Sequence, residues 1–311
     1  MRLRGLFLLV ALIAALAVAG LLLSWYGPGP AGKPVLVSVS QGSTLTSAAR
    51  DLEKAGAIRT AGLFLRTATF LGSKAPIKAG EYEVPAGLSA ARLLELLQSG
   101  KVIQHLITIP EGMPLILVHD RLTAEPLLTG SVPVPAEGSI LPDSYSFERG
   151  EARAAVLKRM QQAMTKAVDE AWKARTPASA VKSKREAIVL ASIVEKETGV
   201  AAERPQVAAV YTNRLKQGMK LQADPTTIYP ITKGKPLGRR IRRSELDAVN
   251  PYNTYAIVGL PAGPIANPSR EAIRAVLAPP QFKAIYFVAD GKGGHVFAET
   301  LSQHQANVER Y

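Results

Sequence analysis

Residues 183–198, SKREAIVLASIVEKET, set the reading of the whole chain. Ser183 and Glu186 have the S-x-x-E spacing of a capping box, which predicts a helix start. From Ala187 to Val194 the only polar residue is Ser192. A helix apolar on nearly every side is a buried helix. This one runs directly into Glu195, Lys196 and Glu197. A carboxyl carried by a buried helix is costly to ionise, so its pKa rises. A glutamic acid in that state can act as a general acid near neutral pH. The plainer reading is that both glutamates cap the exposed end of a core helix.

The sequence that follows favours the chemical reading. A helix over 204–217 carries Val207, Val210, Tyr211 and Leu215 on its inner face, with Asn213 and Arg214 near its end. Pro205 suits its first turn and Gly218 its exit. Residues 221–229, LQADPTTIY, read as a polar loop offering Gln222 and Asp224. Residues 250–263, NPYNTYAIVGLPAG, bring Tyr252, Asn253 and Tyr255 close together. Aromatic faces and amides are what a sugar-binding cleft uses. Each such residue alone is an ordinary turn residue; beside a buried-helix glutamate they point to a cleft for a polar polymer. Residues 233–243, KGKPLGRRIRR, hold six basic side chains, either a solvated loop or a rail for an anionic polymer or lipid headgroups. DGKGG at 290–294 lacks the spacing of a phosphate loop and reads as a hairpin turn, with His295 beside it. No His, Asp or Glu spacing suggests a metal centre, no cofactor motif occurs, and there is no G-x-S-x-G elbow.

Upstream, Gly5 to Tyr26 is uncharged and rich in Leu and Ala, after Arg2 and Arg4. About 20 such residues span a hydrocarbon core. The arginines predict a cytoplasmic tail over 1–4 and a membrane helix over 5–26, with Trp25 and Tyr26 at the far interface. A cleaved signal peptide is the competing reading. Either way the rest lies outside the cytoplasm, which argues against nucleic acid as a partner despite a net charge of +13. Residues 27–33, GPGPAGK, read as a linker. The chain has no Cys, which excludes disulfides and thiolate chemistry.

Between 34 and 103 the pattern predicts a strand (35–39), two helices (44–55, 61–71), a strand (80–84) and a helix (89–99). This order resembles a LysM domain, a carbohydrate-binding fold; a plain spacer module has the same pattern. A strand over 102–109, a polar loop over 138–150 and a long amphipathic helix over 151–175 precede the buried helix. The fold class expected is α+β: one transmembrane helix, a small LysM-like module, and a mixed α+β catalytic domain over 104–311.

Four stretches together resemble one family: ASIVEKET (191–198), VYTNRLKQGMKLQADPT (210–226), PYNTYAIVGLPAGPI (251–265) and YFVADGKGGHVFAETLSQH (286–304). A weaker one, EGSILPDSYSF, lies at 137–147. They are similar to the endolytic murein transglycosylases of the YceG-like family. The resemblance implies a single-pass protein of the bacterial inner membrane with an extracytoplasmic catalytic domain. It implies internal cleavage of nascent peptidoglycan strands between N-acetylmuramic acid and N-acetylglucosamine, leaving 1,6-anhydromuramyl ends. It also implies peptidoglycan synthases or division proteins as partners. The catalytic glutamate falls in IVEKE and maps to Glu195. Two residues apart, Glu195 and Glu197 point about 200° apart around a helix, so only one can face the cleft. Glu195 stacks over Ala191 and Ser192, small residues that leave room for a sugar, and is the expected acid; Glu197, over Ile193 and Val194, is the alternative acid and otherwise a supporting partner. Glu197, Asn213, Gln222, Asp224, Tyr252, Asn253 and Tyr255 are the expected substrate-binding residues. The rival readings are a two-carboxylate hydrolase using Asp224 and a non-catalytic glycan-binding scaffold.

Overall fold

The computed structural model describes residues 2–311, with side chains from residue 5 onward. Met1 and the side chains of residues 2–4, where the sequence puts a cytoplasmic tail, lie outside the described residues. Helix α1 runs Arg2–Tyr26, and its 22 residues from Gly5 to Tyr26 are apolar and long enough to cross a bilayer. The chain divides into two compact units, one holding Met1–His105 with Ser146–Gly150, the other Leu106–Tyr145 with Glu151–Tyr311.

In the first unit, β1 (Val35–Val39) is followed by α2 (Leu45–Lys54), α3 (Ala61–Leu71), β2 (Gly80–Val84) and α4 (Ala90–Ser99). Thr44, Thr60 and Ser89 start the three helices by accepting a hydrogen bond from the backbone N–H three residues on. β1 and β2 pair antiparallel, Val35 opposite Val84 and Val39 opposite Gly80. Val37, Val39, Tyr82 and Val84 meet Leu52, Phe64, Leu93, Leu94 and Leu97 in one core. Tyr82 is fully buried, and its hydroxyl donates to the carbonyls of Lys78 (2.7 Å) and Leu97 (3.1 Å), so no polar atom is stranded.

Two features at the end of α1 differ from the sequence reading. Trp25 is only 2% exposed and belongs to this core, its ring 6.1 Å from that of Phe64. It is core packing and not an interfacial belt residue. Residues 27–33 are not a free linker either. Gly29 N–H donates to Gly87 O (3.1 Å) and Gly87 N–H to Ala31 O (2.8 Å), which lays the segment on the unit. A side chain at Gly29 would meet the Leu88 carbonyl at 2.2 Å, so only glycine allows that approach.

The chain continues through β3 (His105–Ile109), α5 (Leu115–Ala124), β4 (Asp143–Phe147) and α6 (Arg153–Lys173), with β3 paired to β4. Then come α7 (Lys184–Glu197), a 3₁₀ turn at Ala201–Glu203, α8 (Arg204–Lys216), α9 (Asp224–Thr232), the short α10 (Arg243–Leu246) and α11 (Arg270–Leu277). The hairpin β5 (Tyr286–Ala289) and β6 (His295–Ala298) and helix α12 (Leu301–Arg310) end it. The sequence reading has no counterpart for α5, α10, α11 or α12, and it takes 138–150 and 221–229 as loops. β4 interrupts the first of these. In the second, Asp224 and Pro225 open α9: a first-turn proline loses no intrahelical bond, and an acid there favours the helix dipole.

α7 packs against α6, α8, α9 and α11, and Ala187 and Val189 to Glu195 are all buried. Ser183 caps it, accepting from Glu186 N–H at 3.1 Å. The reciprocal half of the capping box is displaced: Glu186 accepts from Lys182 N–H (2.6 Å), one residue before the cap.

Truncating Trp25 tests the weld between α1 and the first unit. Trp25→Ala is expected to destabilise that unit by about 3–5 kcal/mol, whereas Tyr26→Ala, an exposed neighbour, stays within about 0.5 kcal/mol. Hydrogen exchange over residues 35–97 reads the difference.

Candidate active site

The two carboxylates at the end of α7 have opposite fates. Glu195 is 8% exposed. Its Oε1 accepts from Arg204 Nη2 (3.0 Å), and its Oε2 accepts from Ser269 N–H (2.8 Å) and from the Ser269 hydroxyl. Arg204 Nη2 also binds Glu111, in the turn after β3. Ser269 Oγ in turn caps α11 by accepting from Ala272 N–H (3.2 Å). Glu195 thus ties α7 to α8, α11 and the Glu111 turn, and both of its oxygens are occupied. The room for a sugar above Ala191 and Ser192 is absent. Both residues are fully buried, and Ser192 Oγ accepts from Ile265 N–H at 3.1 Å.

Glu197 is the last residue of α7 and is partly exposed. Its Oε1 is enclosed and has no hydrogen-bond partner. Burial pushes the carboxyl pKa up to about 7; the Tyr211 hydroxyl lowers it, the charge of Asp224 raises it and Arg214 lowers it. The buried Tyr211 phenol is itself held well above its usual range, by burial and by Glu197.

The wall around Glu197 comes from α8, the start of α9 and the loop after α10. Arg214 is 7% exposed. Its Nε donates to Ile285 O (2.7 Å) and its Nη1 to Leu221 O (2.7 Å), and its guanidinium lies 5.4 Å from the Tyr286 ring centre. One arginine therefore holds both β5 and the segment leading to α9. Asp224, exposed at the start of α9, accepts from the Tyr255 hydroxyl at 2.6 Å. Burial and Asp224 raise the Tyr255 pKa, so the phenol stays a donor. Gln222 is exposed beside them with φ +52°, a left-handed conformation, its N–H donating to Thr254 O (3.1 Å).

Of the residues singled out in the sequence, Glu197, Gln222, Asp224 and Tyr255 come together. Asn253 does not line a cleft. It is fully buried, its amide nitrogen donating to Leu246 O and Ala248 O (2.8 and 2.7 Å) and its oxygen accepting from Thr227 Oγ1 and Tyr255 N–H. Asn213 donates to Phe282 O (2.7 Å) and Ala284 O (3.0 Å) and serves as a brace for the segment entering β5. Tyr252 packs against Tyr229, ring centres 5.0 Å apart and planes tilted by 41°, next to Gly263. His295 is engaged by Glu203, Nδ1 to Oε2 at 2.8 Å. Tyr211 and Arg214 join the site although the sequence reading gave them no part in it. Their signal is an arginine on the apolar stripe Arg204, Val207, Tyr211, Arg214, at helical spacing. Among the described residues no group of three or more His, Asp or Glu side chains is arranged to hold a metal ion.

Known proteins share this framework. The model of the YceG-like family matches residues 37–310. The chain belongs to the YceG-like family. It is 26% identical over 309 residues to the endolytic murein transglycosylase of Bacillus subtilis (strain 168), covering 89% of this chain and 84% of that protein. It is 30% identical over 332 residues to the endolytic murein transglycosylase of Streptococcus pneumoniae serotype 2 (strain D39 / NCTC 7466), covering 90% of this chain. The match spans 58% of that longer relative. The crystal structure of a yceG-like protein from Listeria monocytogenes superposes with a TM-score of 0.54 at 26% identity, over 88% of this chain and 98% of that one.

Two stability measurements separate the carboxylates. Arg204→Ala leaves Glu195 buried without its cation and is expected to cost about 3–5 kcal/mol in urea unfolding. Glu197 behaves in the opposite sense. Its pKa rises from 4.5 to about 7 on folding, so between those values the unfolded chain releases a proton that the folded chain keeps. Stability falls as pH rises through that window and is unaffected below it. Glu197→Gln is therefore expected to stabilise the protein above pH 7 by on the order of 2–3 kcal/mol, with the gain gone by pH 4.

Proposed function

We propose that this chain is a membrane-anchored lytic transglycosylase that cuts peptidoglycan glycan strands internally, with Glu197 as its single acid and base. The reaction joins the N-acetylmuramic acid C1 to its own 6-hydroxyl and frees the next sugar, leaving a 1,6-anhydromuramyl end. The observation that carries this reading is the Glu197 carboxyl, half-enclosed and unpaired at one oxygen, with a pKa near 7. A general acid must reach the atom it protonates and be protonated at working pH. Glu195 is less able to reach that atom, since Arg204 and Ser269 occupy both of its oxygens inside the fold. The acid role that the sequence reading gives to Glu195 passes to Glu197, and Glu195 becomes the brace.

The protonated Glu197 donates to the glycosidic oxygen as the C1–O bond breaks. The substrate's N-acetyl group stabilises the developing cation. The ionised Glu197 then takes the 6-hydroxyl proton as the ring closes, which returns the acid to its starting state. Hydrolysis by the usual glycosidase route needs a second carboxylate for a nucleophile or a water. Asp224 has a charge that acts on Glu197, which keeps a two-carboxylate hydrolase as the second reading. The Tyr255 hydroxyl bound to Asp224 argues for a sugar-binding role instead.

Residues 5–26 serve as a retained anchor in the cytoplasmic membrane in this reading, and 104–311 act in the extracytoplasmic space. Burial of Trp25 in the first unit supports retention, because the end of the apolar helix is part of that unit's core. The antiparallel β1–β2 pair with α2 and α3 between supports a LysM-like glycan-binding module over 34–103.

Digestion of uncrosslinked glycan strands, with the new ends identified by mass spectrometry, tests the proposal. Wild type is expected to give anhydromuramyl ends, with kcat/KM falling above pH ~7 as the acid ionises. Glu197→Gln is expected to lower the rate by about 10²–10⁴-fold. Reducing ends would make the protein a hydrolase; anhydro ends that persist in Glu197→Gln would return the role to Glu195. Binding without cleavage would make it a scaffold.

A further inference from the structure

Helix α3 carries an outward face that its own unit leaves uncovered. Ala61, Phe64, Thr67 and Ala68 point into the core, while Leu63 (38%), Phe70 (80%) and Leu71 (36%) are exposed. Leu63, Arg66 and Phe70 lie at i, i+3 and i+7, one stripe of the helix. Arg59 and Lys74 flank its two ends, exposed. None of these three basic residues has an ion-pair partner among the described residues. An apolar stripe with basic residues among and around it is the composition of a helix that lies in a lipid interface.

The place of α3 in the first unit supplies the occupant. Phe64 packs on Trp25, in the last turn of α1. Leu23 and Ser24 of α1 line one cleft with Arg59, Leu63, Phe64 and Thr67. At 1.5 Å per residue α3 is roughly 16 Å long, so all of it lies within about that distance of the end of the apolar span. Residues 27–33 are hydrogen-bonded to the unit, so no free tether lifts the helix away.

We propose that the first unit sits directly on the bilayer, with the Leu63–Phe70 face of α3 in the headgroup layer of the leaflet where α1 ends. Phe70 and Leu63 reach toward the acyl boundary. Arg59, Arg66 and Lys74 take up the phosphates of anionic lipids, their apolar stems along the surface. This rests on α1 being a retained anchor. It assigns a second, interfacial membrane contact to a helix expected only to shape a glycan-binding module.

The chain contains no Cys, so a single introduced Cys carries an environment-sensitive fluorophore at one known place. The full-length protein is reconstituted into vesicles containing phosphatidylglycerol, with the probe at Leu63→Cys, Phe70→Cys, Leu36→Cys or Ala15→Cys. Leu36 is the control, a leucine 62% exposed on β1. The expected result is a blue shift and quenching by brominated phospholipid at positions 15, 63 and 70, with an aqueous spectrum at 36. Lipid burial at 15 with water at 63 and 70 would overturn the proposal and leave the anchor intact. An equal shift at 36 would also overturn it, as unspecific adhesion of the whole unit. An aqueous spectrum at 15 would remove the anchor reading itself, and the proposal with it.

Discussion

The second unit depends on a buried charge cluster: the Glu195 carboxylate held by the Arg204 guanidinium and by both donors of Ser269. An ion pair this deep contributes little net energy, because desolvating the two charges offsets their attraction. What it supplies is register. α7, α8, α11 and the turn after β3 can each slide along apolar surfaces at little cost. They cannot slide and still satisfy Glu195, Arg204, Ser269 and Glu111 together. The turn is shaped for the role: Gly112, at φ +66°, lies where a Cβ would come within 3.4 Å of the Glu195 side chain.

That register is what lets Glu197 stay unsatisfied. A carboxyl with an enclosed, unpartnered oxygen is a local defect that a mobile segment would relieve by swinging into solvent. Two residues away, Glu195 fixes the last turn of α7 and removes that escape. The position of Glu197 adds to the effect. It ends α7, where the unpaired carbonyls of the last turn carry partial negative charge and oppose ionisation. One helix thus presents a carboxyl fully engaged in hydrogen bonds on one side and a reluctant acid on the other.

The elements that the sequence displayed best were those whose signals are local. The Ser183 cap and the apolar run of α7, the apolar helix over 5–26, and the alternating helices and strands of the first unit all have short-range patterns. The choice between Glu195 and Glu197 is not local. Ser269 and Glu111 lie far from α7 in the chain, and a run reading IVEKE has no record of them. Asn253 misleads for a related reason: an amide in NPYNTY looks the same whether it meets a sugar or five neighbouring backbone and side-chain groups. Trp25 at the end of an apolar run has the composition of an interfacial aromatic, and only its contact with Phe64 makes it core. α9 was hidden by its two prolines, Pro225 in the tolerated first turn and Pro230 inside.

Gln222 shows what the candidate site asks of the chain that carries it. Its φ of +52° is a conformation that glycine adopts freely and glutamine does not. A glycine would make the turn into α9 easier to form, yet it would remove the side-chain amide whose oxygen accepts from Arg214 Nη1 at 3.4 Å, two residues from the Asp224 that holds Tyr255. Keeping a glutamine there accepts a less stable backbone in exchange for a side chain. Selection for thermal stability alone would therefore be expected to drift toward glycine at this position, and selection for the proposed glycan cleavage would be expected to hold glutamine in place.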